Sequence, residues 1–238
     1  AMRWFLMSSP ILRGGNISVT EQGIREGVRQ ALLPLWNSYY FFALYANASG
    51  YTASPSMAST QLLDRYILAK TRELIDSVTL DLDTFDSFAA SAKVRDFAEV
   101  LTNWYIRRSR DRFWEGDKDA FDTLYTVLEA AFRVIAPMLP LVAEEMWRGL
   151  TDGRSVHLES WPEAEEFLQD AHLVRDMDAI REAASSGLSL RKSSGIRVRQ
   201  PLAKITVAVV GSDSLRDYAE LLADELNVKA VDIVEANA

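Results

Sequence analysis

Cysteine is absent, and histidine occurs only at His157 and His172. The first absence excludes a disulfide scaffold. With the two histidines isolated from each other, most zinc sites go as well, and each histidine reads as a surface or structural residue. Also missing are a phosphate-binding glycine loop, a dinucleotide fingerprint and a nucleophile elbow. The adjacent Glu144 and Glu145 point to different sides of a helix, so they form no acid–base pair. No catalytic residue and no metal ligand is expected. A long unbroken apolar run is lacking too. The longest candidate, "ALLPLWNSYYFFALYANA", is interrupted by Pro34, Asn37 and Ser38 and reads as a buried helix rather than a membrane span. The opening "AMRWFLMSSPIL" lacks the basic segment, clean apolar core and cleavage site of a secretory leader. No membrane partner is expected, and a cytoplasmic setting fits.

What is present is apolar mass and unevenly placed charge. Of 238 residues, 48% are apolar, enough for a sizeable core and too many for a disordered chain. The net charge of -8 argues against a polyanionic partner when taken alone. Two segments depart from it. "LRKSSGIRVRQPLAK" (190–204) carries five basic residues and no acid, and "WYIRRSRDRFW" (104–114) carries four arginines against Asp111. At physiological salt the local field decides, because charges beyond about 8–10 Å are screened.

Hydrophobic spacing predicts a mainly α protein. A first helix is expected over 20–47, capped by Thr20, with Pro34 kinking it. A loop follows at 46–56. A second helix is expected over 59–79, with Leu63, Tyr66, Ile67 and Leu74 as its stripe and Lys70 interrupting it. A turn is predicted at 80–86, a third helix over 84–114, and a fourth over 118–149, broken at Pro137 and Pro140. These four suggest an antiparallel helical bundle over 1–150. Composition changes after Gly149. A linker helix (171–187), a strand (204–210), a helix (213–226) and a strand (229–234) predict a small α/β unit with parallel strands in 151–238.

On a wheel of 3.6 residues per turn, Val94, Phe97, Ala98, Leu101 and Tyr105 share one face of the third helix. Arg108 and Arg112 fall on that same face. One reading pairs Arg108 or Arg112 with Glu144 or Glu145, because a buried arginine needs an acid. The other turns arginines toward phosphate, which the guanidinium fork binds bidentately. Both can hold. Arg107 and Arg110, off the stripe, are then the phosphate candidates, while Trp104, Tyr105, Phe113 and Trp114 anchor the helix in the core. Arg191, Lys192, Arg197 and Arg199 form a second candidate RNA contact, and the backbone N–H groups of Ser193, Ser194 and Gly195 could add to it. The plain alternatives are a solvated connector there and an ordinary turn at "RGGN" (13–16).

Six segments, in order, carry a family resemblance: "RWFLMSSP" (3–10), "LLPLWNSYYFF" (32–42), "NWYIRRSRDRFW" (103–114), "APMLPLVAEEMW" (136–147), "IRVRQPL" (196–202) and "ELNVKAV" (225–231). They resemble the anticodon-binding region of class I aminoacyl-tRNA synthetases of the isoleucine, leucine, valine and methionine group. "NWYIRRSRDRFW" and "ELNVKAV" lean toward the isoleucine enzymes, since a valine enzyme more often has an acid after Trp-Tyr-Ile. The family's catalytic motifs are missing, and "RKSSG" (191–195) lies where the family does not put its Lys-Met-Ser-Lys-Ser loop. The resemblance therefore implies a tRNA-binding fragment without catalytic or editing domains and without a cofactor of its own. ATP and Mg would belong to the catalytic domain of the parent, which joins the amino acid to tRNA. Its partners would be tRNA and the remaining domains of the parent. Arg107, Arg108, Arg110, Arg112, Arg191, Lys192, Arg197 and Arg199 would be the tRNA-binding set. The same domain of a valine or leucine enzyme, and a helical protein-interaction domain with basic patches, are the alternatives.

Overall fold

A computed structural model describes residues 1–209 and 211–236. The chain divides into two compact units, Ala1–Gln169 and Asp170–Ala238. This differs from the division at 150 because residues 152–169 are tied to helices of the first unit. Trp161 Nε1 donates to Thr79 Oγ1 (2.8 Å) and Arg72 Nη1 to the Phe167 carbonyl (3.0 Å), with Val156 and Phe167 buried.

In the first unit, α1 (Met2–Met7) inserts Trp4 into the core. Next, α2 (Glu21–Gly27) runs through a π turn, Val28–Leu32, into α3 (Leu33–Ser49). The expected strain at Pro34 takes this form: proline brings no N–H and its ring crowds the carbonyl four residues back, which a wider turn relieves. Thr20 Oγ1 caps the start by accepting from Gly23 N (3.0 Å), and Gly50, at φ 64°, ends the run. The second long helix, α4 (Leu62–Asp83), continues four residues beyond the predicted end. Its buried positions are Asp64, Tyr66, Ile67, Leu68, Ala69, Thr71, Leu74, Ile75 and Val78. Asp86 caps α5 (Ser87–Glu99) by accepting from Ala89 N (3.0 Å). A second π turn, Val100–Ile106, joins α5 to α6 (Arg107–Glu115). Asp117 caps α7 (Lys118–Ile135), and Pro140 opens α8 (Pro140–Thr151), so the break at the two prolines is present.

Short turns at 84–86 and 116–117 reverse the chain, as an antiparallel bundle requires. Phe42 meets Phe121 and Tyr39 meets Phe132, so α3 and α7 run in opposite directions. Phe41 meets Phe113 and Tyr45 meets Trp114 further along both chains, so α2–α3 and α5–α6 run the same way. Phe113 lies edge-on to Phe41 (5.1 Å, 85°) and to Phe121 (5.2 Å, 88°), the geometry the ring quadrupoles favour. Close approach of α8 to α3 depends on Gly149, where a Cβ would overlap Tyr39 Oη. Gly149→Ala is expected to destabilise by about 1–3 kcal/mol through forced displacement of that ring. Urea unfolding checks this, and Tyr39→Phe in the same background should recover part of the loss.

The second unit contains α9 (Ala171–Ser193), β1 (Ile205–Val209), α10 (Ser212–Leu215), α11 (Ala219–Leu226) and β2 (Val231–Glu235). The strands pair in parallel, Ile205 opposite Val231 through Val209 opposite Glu235, as strand–helix–strand order predicts. Val210, the last residue of the first expected strand, lies outside the described residues. Gly187 lets α9 sit against α11, since a Cβ there would lie 2.7 Å from a Leu226 methyl. Among the described residues, no helix is long and apolar enough to cross a membrane.

Candidate nucleic-acid interface

The arginines of α6 separate into two groups, and the π turn before them is the cause. A π turn takes about one more residue per turn than an α turn, since its bonds run i to i+5. The core face therefore arrives one residue late. Ser109 and Phe113 are buried, instead of the Arg108 and Arg112 that a uniform helix would turn inward.

Arg112 sits at the edge of the core, and its fork closes on a fully buried carboxylate. Nη1 donates to Asp64 Oδ1 (2.7 Å), Nη2 to Asp64 Oδ2 (2.8 Å), and Nε to Asp117 Oδ2 (2.8 Å). Tyr105 Oη (2.9 Å) and Ser59 Oγ (2.7 Å) donate to the same Asp64 carboxylate. The partner is thus Asp64, not Glu144 or Glu145. Glu144 accepts instead from Arg148 Nε (2.6 Å), Ser155 Oγ (2.9 Å) and the Val156 N–H (3.0 Å). Burial, reinforced by Asp64, pushes the Tyr105 hydroxyl well above its usual range. Burial opposes the charge on Arg112, but the bonds to Asp64 and Asp117 outweigh it and raise its pKa. For Asp117 burial acts upward, and Arg112 prevails and lowers it. Asp86 is lowered by its bond from Arg13 and by the Ala89 N–H. A carboxyl depressed on folding contributes stability above its unfolded pKa and loses it as pH falls through the folded one. Unfolding midpoints should therefore stay level from pH 7 to about pH 5 and fall below about pH 4. Denaturation followed across that range checks this.

Arg108 is half-buried, its guanidinium 5.2 Å from the centre of the Trp104 ring. Arg107 and Arg110 are exposed. Arg107 Nε donates to the Asn103 carbonyl (2.7 Å), and Arg110 lies 6.0 Å from the Phe41 ring centre. Trp114 is 79% exposed, touching the protein edge-on at Tyr45 (6.5 Å). It is therefore not a core anchor, unlike Trp104, Tyr105 and Phe113, which are buried. Positions 103, 107, 110 and 114 are spaced by four, three and four, so they form one stripe along the helix. An exposed amide, two exposed guanidinium groups and an exposed indole thus lie in line.

In the second unit the basic segment also divides. Arg191 is only 5% exposed. Its Nη1 donates to the Leu226 carbonyl (3.1 Å), and its Nη2 donates to the carbonyls of Arg197 (2.7 Å), Val198 (3.3 Å) and Gln200. Its two terminal nitrogens are thus held by carbonyls of the protein, so Arg191 is no candidate for phosphate, and neither is Arg112. Arg197 and Arg199 are exposed on the loop 194–200, and Lys192 is exposed in the last turn of α9. The N–H groups of Ser194 and Gly195 bond back to Leu190 and Lys192 as the cap of α9, with Gly195 at φ 68°, and are not offered to an anion. Gly14 and Gly15 are likewise closed on the carbonyls of Ile11 and Pro10, an ordinary turn. His157 meets the Pro140 carbonyl and His172 meets Arg175. Among the described residues no cluster of metal-ligating side chains occurs.

The family profile described as the anticodon-binding domain of tRNA ligase matches residues 64–207, more than half of the chain. It spans α4 to β1 and so includes Asp64, α6 and the loop that follows α9. Curated relatives agree over nearly the full length. An isoleucine–tRNA ligase of Leifsonia xyli is 62% identical over 99% of this chain. Those of Nocardia farcinica and Mycobacterium tuberculosis are 55% and 54% identical over 98% and 99% of it. The chain spans 22% of the length of each of these relatives. By the extent of the profile match, with the arginine-bearing helix inside it, the chain belongs to the anticodon-binding domains of tRNA ligases.

Proposed function

We propose that this chain is the tRNA-holding part of an isoleucine–tRNA ligase. It engages the anticodon arm, while a catalytic domain elsewhere in the parent uses ATP and Mg to join isoleucine to the tRNA. The observation that carries the reading is the exposed stripe Arg107, Arg110 and Trp114 within the family match. Guanidinium forks suit phosphate oxygens, and an exposed indole offers a face on which an unstacked base can lie. Lys192, Arg197 and Arg199 form a second contact. Isoleucine rather than valine or leucine follows the names of the relatives. Such a role places the protein in the cytoplasm, where tRNA is charged for translation.

Competition binding tests the reading. An isoleucine tRNA transcript is expected to bind in preference to a valine tRNA and to a scrambled hairpin, with affinity falling as salt rises. Equal binding to all three would count against anticodon reading and favour a basic surface for acidic partners.

A further inference from the structure

In the second unit, the loop 194–200 leaves the end of α9 with little apolar surface to hold it. Residues 197–201 are all exposed, so burial fixes none of them. Two side chains grip the loop instead. Nη2 of the buried Arg191 meets three of its carbonyls, those of Arg197 (2.7 Å), Val198 (3.3 Å) and Gln200. Asn227, the cap of α11, donates through Nδ2 to the same Val198 carbonyl (2.9 Å). A turn closes inside this grip, where the Gln200 N–H donates to the Arg197 carbonyl (3.0 Å). Carbonyl oxygens carry like partial charge and repel one another, so three of them gather only around a cationic donor.

The cation is itself held in place. Arg191 stands in the last turn of α9, and its Nη1 donates to the carbonyl of Leu226, the last residue of α11 (3.1 Å). Both helices turn their negative ends toward it, which offsets the cost of burying a charge among neutral carbonyls. Lysine would supply the charge but not the fork, since one ammonium cannot reach Leu226 and the loop together. With these carbonyls drawn inward, the side chains of Arg197 and Arg199 stand at the surface. A guanidinium on a held loop binds better than one on a mobile loop, because less order is left to impose on binding.

We propose that Arg191 is a positioning residue: it touches no RNA itself, and it holds the loop 194–200 so that Arg197 and Arg199 present their guanidinium groups to phosphate. This rests on the tRNA-binding reading above. A mutant cycle tests it, with an isoleucine tRNA transcript as the probe and the 238-residue chain as the protein. Arg197→Ala with Arg199→Ala is made in the wild-type chain and again beside Arg191→Lys, which keeps the charge and loses the fork. Arg191→Lys alone is expected to weaken binding about tenfold. The paired alanine changes are expected to cost about tenfold or more in the wild-type chain. Beside Arg191→Lys they are expected to cost about threefold or less, because residues that act through one another are not additive. Asn227→Gly is the second variant and carries the test if Arg191→Lys does not fold. Glycine accepts the φ of 48° there, and the bond to Val198 is lost. It is expected to weaken binding about threefold, again only while Arg197 and Arg199 are present. Equal cost of the paired changes in every background, or unchanged binding by both variants, would overturn the positioning role alone. No cost of the pair in the wild-type chain would overturn the second contact and this inference with it. Failure of the wild-type chain to bind the tRNA would overturn the functional reading as well.

Discussion

Arg112→Leu is expected to cost about 3–5 kcal/mol of stability, because it strips the cation from a carboxylate that has no access to water. Asp64 is fully buried. Two hydroxyls, from Ser59 and Tyr105, would remain on it, but neither carries charge. Protein domains are stable by only about 5–15 kcal/mol, so the loss is a large share of the total. Arg112→Lys should recover only a small part. One ammonium cannot reproduce the two parallel bonds to Asp64 and also reach Asp117. Urea unfolding measures both variants. A loss below about 1 kcal/mol for Arg112→Leu, the size of a surface ion pair, would show that water reaches Asp64.

The second large effect concerns binding. Arg107→Ala with Arg110→Ala is expected to weaken tRNA binding about a hundredfold while leaving stability nearly unchanged. A charge-assisted bond contributes about 1.5–3 kcal/mol, and exposed side chains away from the core rarely alter stability beyond about 0.5 kcal/mol. The slope of log affinity against log salt should shrink by about 0.7–0.9 for each phosphate that the protein no longer neutralises. A fall in affinity with an unchanged slope would mean that these arginines do not touch phosphate. Arg112 gives the opposite pattern: stability falls, and any loss of binding follows from unfolding.

The helices, their caps and the proline break were legible in the sequence because each has a local cause. Thr20 starts the first long helix, and Pro137 and Pro140 interrupt the last pair. The phase of α6 was not legible, since nothing in apolar spacing announces a π turn. A wheel of constant pitch puts Arg108 and Arg112 under the core, whereas the wider turn gives that place to Ser109 and Phe113. Asp64 was missed for a related reason. Of the stripe expected for the second helix, Tyr66, Ile67 and Leu74 are buried, but Leu63 is not, and the buried face begins instead at Asp64, with an acid at its head. An acid in phase with such a stripe is a signal that a buried cation waits on another helix. Arg191 looked like its neighbours in a basic run, and only the fold shows four carbonyls converging on it. Trp114 was assigned to the core on hydrophobicity alone. At the last turn of α6, just before Gly116, the helix leaves the bundle and the indole goes with it.

The most direct test of the central claim is photocrosslinking from position 114, with p-benzoylphenylalanine in place of the tryptophan and an isoleucine tRNA transcript as the target. The side chain there is exposed, so the fold should tolerate the change. Crosslinks confined to the anticodon loop are the predicted result. Crosslinks to the acceptor stem, or none under conditions where the tRNA is bound, would contradict the assignment of this face to the anticodon.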